Sequence, residues 1–248
     1  MLRPCTTVLA FLFAASAAFA EDPAAQELYK KVSDAVLGAK TVHFREAKTS
    51  ATDKSGQKFE MSSDMWLTGD NQLSLRMQVK VGEHSQEMLA ICDGTTLGLS
   101  GDGHQEQKEA PKEFSSIVRG ALLAGGVMPA MSLMDHPEQF KNGGTSDFKA
   151  LADGKVGDRA ATVIEYTFHF TSGNDDVALG VKLYVDPVSL AILKREATDP
   201  KEGLVITEEY AGVELDAAAP DGTFTVPPAA DPQPEPEPQP PAGEAEPK

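Results

Sequence analysis

The sequence predicts an α+β fold made mainly of antiparallel strands, an incomplete curled β-barrel with an α-helical lid or plug. Three observations carry this. Apolar and polar residues alternate along several long runs, the mark of strands with one buried face. An amphipathic helix opens the domain, and helical spacing returns once, in the middle of the chain. A sheet of roughly nine or ten antiparallel strands curls under its own twist, so the helices interrupting it become its filling or its cover.

The elements follow in chain order. Residues 1–20 read as a signal peptide: Arg3 gives a positive start, Val8 to Ala18 form an apolar run, and Ala18-Phe19-Ala20 matches a cleavage site before Glu21. Cys5 precedes that run instead of ending it, which argues against lipid attachment, and the run is too short to span a bilayer. The expected location is the periplasm, with the protein soluble after cleavage. Asp22 suits a helix cap and Pro23 a first turn; Leu28, Val32, Val36 and Leu37 then recur at helical spacing before Gly38 ends the helix.

Val42 and Phe44 begin the first strand. Leu73, Leu75, Met77, Val79 and Val81 alternate with Ser74, Arg76, Gln78 and Lys80 in another. Met88 to Cys92 and Thr95 to Leu99 flank Asp93-Gly94, a dipeptide that accepts the backbone angles of a hairpin. Phe114, Ile117, Val118, Ala121 and Leu122 then take helical spacing, and Gly125-Gly126 interrupts it. Met128 to Phe140, with Met131, Leu133 and Met134, forms a second helical piece, so a helical insertion is placed at about residues 111–140. Strands resume with Ile164, Tyr166, Phe168 and Phe170, a polar turn from Ser172 to Asp176, and Val177, Leu179, Val181, Leu183 and Val185. Asp186-Pro187 turns the chain into Leu190 to Ala197, Leu204 to Tyr210 follows, and a short strand at Phe224 to Val226 closes a domain spanning residues 21–226. Residues 227–248 hold nine prolines, five acids and one Lys, and are expected to be a disordered tail.

Composition narrows function mainly by exclusion. The chain has 248 residues, 41% hydrophobic and 24% charged, which excludes collagen, coiled coil and a polytopic membrane protein. A formal charge of −16 repels nucleic-acid backbones and anionic lipid surfaces, and cleavage of the leader removes the cation Arg3. Cys92 is then the sole thiol, so no intramolecular disulfide forms, and it reads as a small apolar residue in a strand. His43, His84, His104, His136 and His169 stand apart without metal-ligand spacing, and nucleophile-elbow, zinc-protease and phosphate-loop patterns are missing. Asn174-Asp175-Asp176 reads as a solvated turn in preference to a weak calcium site. No catalytic residue, metal or cofactor is expected, and the protein is not expected to be an enzyme.

Three stretches carry a family resemblance. The first is the opening helix leading into Val42-His43-Phe44, with Asp64-Met65-Trp66-Leu67 and Asn71-Gln72-Leu73. The second is Ile91-Cys92-Asp93-Gly94-Thr95-Thr96, and the third runs from Leu183-Tyr184-Val185-Asp186-Pro187 through Tyr210 to Asp216 and Phe224-Thr225-Val226-Pro227-Pro228. In order and spacing these resemble the LolA-type periplasmic lipoprotein carriers and their LolB and lipoprotein-sorting-like relatives. The resemblance implies an unclosed barrel whose helical lid covers an apolar cavity, shielding the acyl chains of a lipoprotein or lipid on the way to the outer membrane. One departure stands out: where LolA carriers have Arg-Pro, with an Arg that helps hold the lid, this chain has Gly69-Asp70, leaving Arg45 or Arg76 as the only stand-ins considered.

On this reading Phe44, Trp66, Leu75, Met77, Phe168, Phe170 and Leu183 line the sheet side of a ligand site, and Phe114, Ile117, Leu122, Met131 and Met134 line the lid. A filled core is the other reading of each. Flexible Met and Leu walls suit variable chains, and a 16-carbon chain carries roughly 12 kcal/mol of gross transfer energy. The implied partners are lipoprotein or lipid acyl chains and proteins of the inner and outer membranes, with no nucleic acid, and the protein is expected to be a monomer. A non-enzymatic protein-binding or envelope-sensing module of the same fold stays open as the alternative, as does a structural protein tethered by its tail.

Overall fold

In the computed structural model, residues 21–101, 104–135, 143–172 and 175–228 are described. The leader, the tail beyond Pro228, His136, Phe140 and Asn174 lie outside the described residues. Helix α1 (Pro23–Gly38) begins as its sequence predicts: the Asp22 carboxylate accepts hydrogen bonds from the Ala24 and Ala25 amides, which also holds that carboxyl below its usual range. Its Val32 and Val36 are buried, and the chain turns extended at Ala39.

Six strands follow as a meander: β1 (Thr41–Thr52), β2 (Lys58–Thr68), β3 (Gln72–Val81), β4 (His84–Asp93), β5 (Thr96–Gly101) and β6 (His104–Glu109). Helices α2 (Phe114–Ala124) and α3 (Val127–Asp135) come next, then β7 (Gly144–Ala150), β8 (Gly154–Val156), β9 (Arg159–Ser172), β10 (Asp175–Val185), β11 (Ile192–Asp199) and β12 (Leu204–Leu215). All pairings are antiparallel, in the order β6-β5-β4-β3-β2-β1-β12-β11-β10-β9-β7, with β8 paired to β9. The two meanders are thus sewn together along β1 and β12, and the sheet stays open between β6 and β7. Those two edges are consecutive in the chain. The connection from one to the other runs through α2 and α3, and this is why the helical insertion packs against the sheet.

Register separates the two faces. Phe44, Met65 and Leu75 share one cross-strand row, and Ala47, Ser63, Met77 and Met88 the next, all on the face that packs against the helices. A bulge between Phe44 and Ala47, with Glu46 at φ 45°, lets both residues face inward while Arg45 turns out to pair with Glu214. Tyr166, Phe168, Val181 and Leu183 carry the same inner face through the second meander.

Some expectations change. Among the described residues twelve strands form instead of roughly nine or ten, because β6 is too polar to show a strand pattern and β8 is only three residues long. Leu190 belongs to the turn, at φ 60°, and the strand starts at Ile192. Phe224 to Val226 form no strand. Pro227 and Pro228 have no amide hydrogen to join a ladder, and their carbonyls accept instead from the side-chain amides of Gln107 and Gln105 on β6. Among the described residues, no helix is long and apolar enough to cross a membrane.

Candidate functional site

The lid is built from the carbonyls and amides that helix ends leave unpaired. Buried Arg119, on α2, donates to the carbonyls of Val36, Leu37 and Ala39 at the end of α1, at 3.3, 3.4 and 2.7 Å, and to Leu67 of β2 at 3.4 Å. It caps one helix while fastening another, although burial lowers its pKa. The start of α2 is tied to the β2–β3 turn: the Ser115 amide donates to Asn71 Oδ1, and the Ser115 hydroxyl to the Thr68 carbonyl.

A second buried cluster sits where α2 meets α3. Arg195, on β11, donates to Glu208 of β12 at 3.1 Å, to the Tyr210 hydroxyl at 2.8 Å and to the Leu123 carbonyl at 2.9 Å. The Glu208 carboxylate in turn accepts from the Val127 amide at 2.8 Å, and the Tyr166 hydroxyl donates to the Ala124 carbonyl at 2.8 Å. The cation therefore meets the C-terminal end of α2 and the anion the N-terminal end of α3, so each charge complements a helix dipole. Burial opposes the charge on Arg195, but Tyr210, Tyr166 and Glu208 outweigh it and raise its pKa; burial also raises those of both tyrosines, which stay protonated donors.

Gly125 and Gly126 make this contact possible. A Cβ on Gly125 would lie 2.5 Å from the Phe168 ring, and one on Gly126, where φ is 97°, would lie 2.3 Å from a Glu208 oxygen. The two arginines replace the stand-ins considered from the sequence: Arg45 and Arg76 are exposed and point away from the lid. Both stand-ins sit at outward positions of their strands, so neither reaches α2 or α3.

Beyond the latch, α3 and β3–β6 flank an open, largely apolar cleft of about 560 Å³. Met77, Met88, Ala90 and Leu99 form its floor, Met131 comes down from α3, and Gln86, His104 and Glu106 stand among its polar lining. A larger groove of about 690 Å³ lies across β1–β3 and β12, but Lys48, Ser50, Glu60, Ser62 and Lys80 line it beside Met61, so its lining is less apolar than that of the cleft. On the inner wall, Ser63 and Thr49 carry buried hydroxyls with no hydrogen-bond partner among the described residues, and Ser63 pairs across strands with Met77.

Of the residues expected to line a ligand site, Met77 and Met131 are brought together in this cleft. Phe44, Leu75, Leu183, Phe114, Leu122 and Phe168 are buried in the core, with Ile117 and Phe170 half-buried against it. Trp66 is displaced from its expected position. It shares the outer face with His43, on which it stacks at 3.8 Å between ring centres, while Met65 and Leu67 take the inner face. Met134 lies in α3, its side chain outside the described residues. Cys92 is buried, donates to the Asn71 carbonyl, and has its pKa raised by burial, as suits an unreactive thiol. Met88, Ala90, Leu99 and the polar rim went unpredicted as site residues. The signal was the cross-strand pairing of Met77 with Met88, legible only once the hairpin register is known.

No family model and no curated protein sequence matches the chain. It is similar to solved structures at low identity. MucB is 15% identical over 83% of this chain, which spans 64% of MucB's own length, with a TM-score of 0.45. LprF from Mycobacterium bovis is 13% identical over 81% of this chain and 96% of its own, at TM-score 0.49. A LolA superfamily protein from Nitrosomonas europaea is 14% identical over 81% of this chain and 97% of its own, at TM-score 0.36.

Proposed function

We propose that this protein is a non-enzymatic periplasmic carrier that holds a lipophilic ligand, an acyl chain of a lipid or lipoprotein, in the cleft between α3 and β3–β6. The observation that carries this reading is the cleft itself, about 560 Å³ of space walled by Met77, Met88, Leu99 and Met131. That size lies within the range of small-molecule sites. Methionine walls adapt to flexible chains, and hiding each methylene is worth about 0.8 kcal/mol. Beneath α2 the inner face is filled by Phe114, Leu122 and Phe168, so ligand is held at the α3 end alone.

Two measurements test the reading. Native mass spectrometry of protein purified gently from its periplasm, followed by organic extraction, is expected to yield a bound acylated species. Met131→Arg is expected to weaken binding of the uncharged fluorescent probe N-phenyl-1-naphthylamine at least about tenfold, because it sets a charge inside an apolar cleft. Met131 is only partly buried, so circular dichroism and the melting temperature are expected to stay close to wild type. An empty protein that also fails to take up the probe would turn the assignment to the protein-binding or envelope-sensing module.

A further inference from the structure

We infer that the cleft selects single-chain amphiphiles whose headgroup carries an ammonium, and disfavours the same chain ending in an anion. The inference rests on the carrier reading above and concerns what stands at the rim of the same cleft. Apolar surface covers the floor and the α3 wall, while three larger polar side chains, Gln86, His104 and Glu106, stand at the end where β3 and β5 give out and β4 and β6 begin. Glu106 pairs across strands with Leu99 and His104 with Gly101, which puts both on the inner, cleft-facing side of β6.

No hydrogen bond or ion pair engages the side chain of Gln86, His104 or Glu106 among the described residues. Among the described residues Glu106 supplies the only carboxylate of the cleft lining and no Lys or Arg lines it; Lys108, next along the same face of β6, lies outside it. An alkyl chain lying on Met77, Met88 and Met131 therefore leaves its headgroup beside an unpaired carboxylate and two groups able to accept hydrogen bonds. An ammonium has donors for all three and a charge of the right sign, whereas a carboxylate or phosphate headgroup meets repulsion from Glu106. For His104 and Glu106 the position is that of an edge strand: among the described residues no further strand lies beyond β6 to supply a partner.

The test uses the full mature protein loaded with N-phenyl-1-naphthylamine at pH 7 and low salt. Displacement is measured with dodecylamine, monododecanoyl glycerol and dodecanoate, each below its micelle-forming concentration. Dodecylamine is expected to displace the probe at about tenfold lower concentration than dodecanoate, with the glyceride between them. Added salt is expected to narrow the gap. Because the whole chain is acidic, a general attraction for cations is separated by two variants. Glu106→Gln is expected to erase the preference, read as the ratio of dodecylamine to dodecanoate displacement so that any change in probe affinity cancels, and Glu109→Gln, on the other face of the same strand, to leave it intact. Equal potency in the wild type, or a preference that survives Glu106→Gln, overturns the selectivity. Failure of the probe to bind at all overturns the carrier reading, and this inference falls with it.

Discussion

Arg195→Met is expected to lower the unfolding free energy by about 3–5 kcal/mol, the effect of leaving a buried charge without its partner. Glu208 is 1% exposed and retains only the Val127 amide and the Tyr210 hydroxyl once the guanidinium is gone. The Leu123 carbonyl, at the end of α2, loses its donor in the same step. Met fills much of the Arg volume, so the loss reports charge and hydrogen bonding more than a cavity. Urea unfolding at pH 7 measures it. A double-mutant cycle with Glu208→Leu separates the pair, since removing both charges is expected to be less destabilising than the two single losses added together. Backbone amide exchange carries the functional consequence: Val127 and the α2–α3 junction are expected to lose protection before the β1–β12 seam does. Additive single losses would mean that the two residues do not act as a unit.

Gly126→Ala is the second large effect, expected at about 2–4 kcal/mol of destabilisation. Two costs combine in this one methyl group. The backbone sits at φ 97°, which an L-residue with a Cβ rarely adopts, and the added carbon would lie 2.3 Å from Glu208 and 2.7 Å from the Arg195 guanidinium. Neither neighbour can yield without breaking the ion pair that fixes α2 to α3. Gly120→Ala is the internal control. It lies in α2 with nothing within 4 Å of its Cβ position, and is expected to be neutral or stabilising by up to about 1 kcal/mol. Thermal unfolding of both variants, read side by side, checks the argument. Equal melting temperatures would mean that α3 can leave the latch without loss, and that the glycine pair is only a connector.

Period alone identifies the long strands, because a strand with one buried face must alternate: Leu73 to Val81 and Val177 to Val185 form where the pattern places them. Local chemistry likewise settles Asp22 as a helix cap. Asp93 and Gly94 turn the β4–β5 hairpin, where the Asp93 carboxylate accepts from the Thr95 and Thr96 amides. These features depend on neighbours in the chain, so one sequence suffices to read them.

The lid lock was not legible in that way. Arg119 lies 80 residues from the Ala39 carbonyl that it caps, and Arg195 lies 72 from the Leu123 carbonyl. An arginine inside an alternating strand looks the same in sequence whether it faces solvent, as Arg76 does, or a helix end. Trp66 went to the outer face because pairing with His43 places it one residue out of step with Met65 and Leu67, a parity that only register decides. The cleft depends on tertiary structure for the same reason. Its floor is assembled from β3, β4 and β5 and its roof from α3, and which side chains stay unfilled is decided by how helices crossing between the two sheet edges come to rest. Alternation and capping act over a few residues and are written in order along the chain, whereas latch and cleft arise from distant groups that share only a place in space.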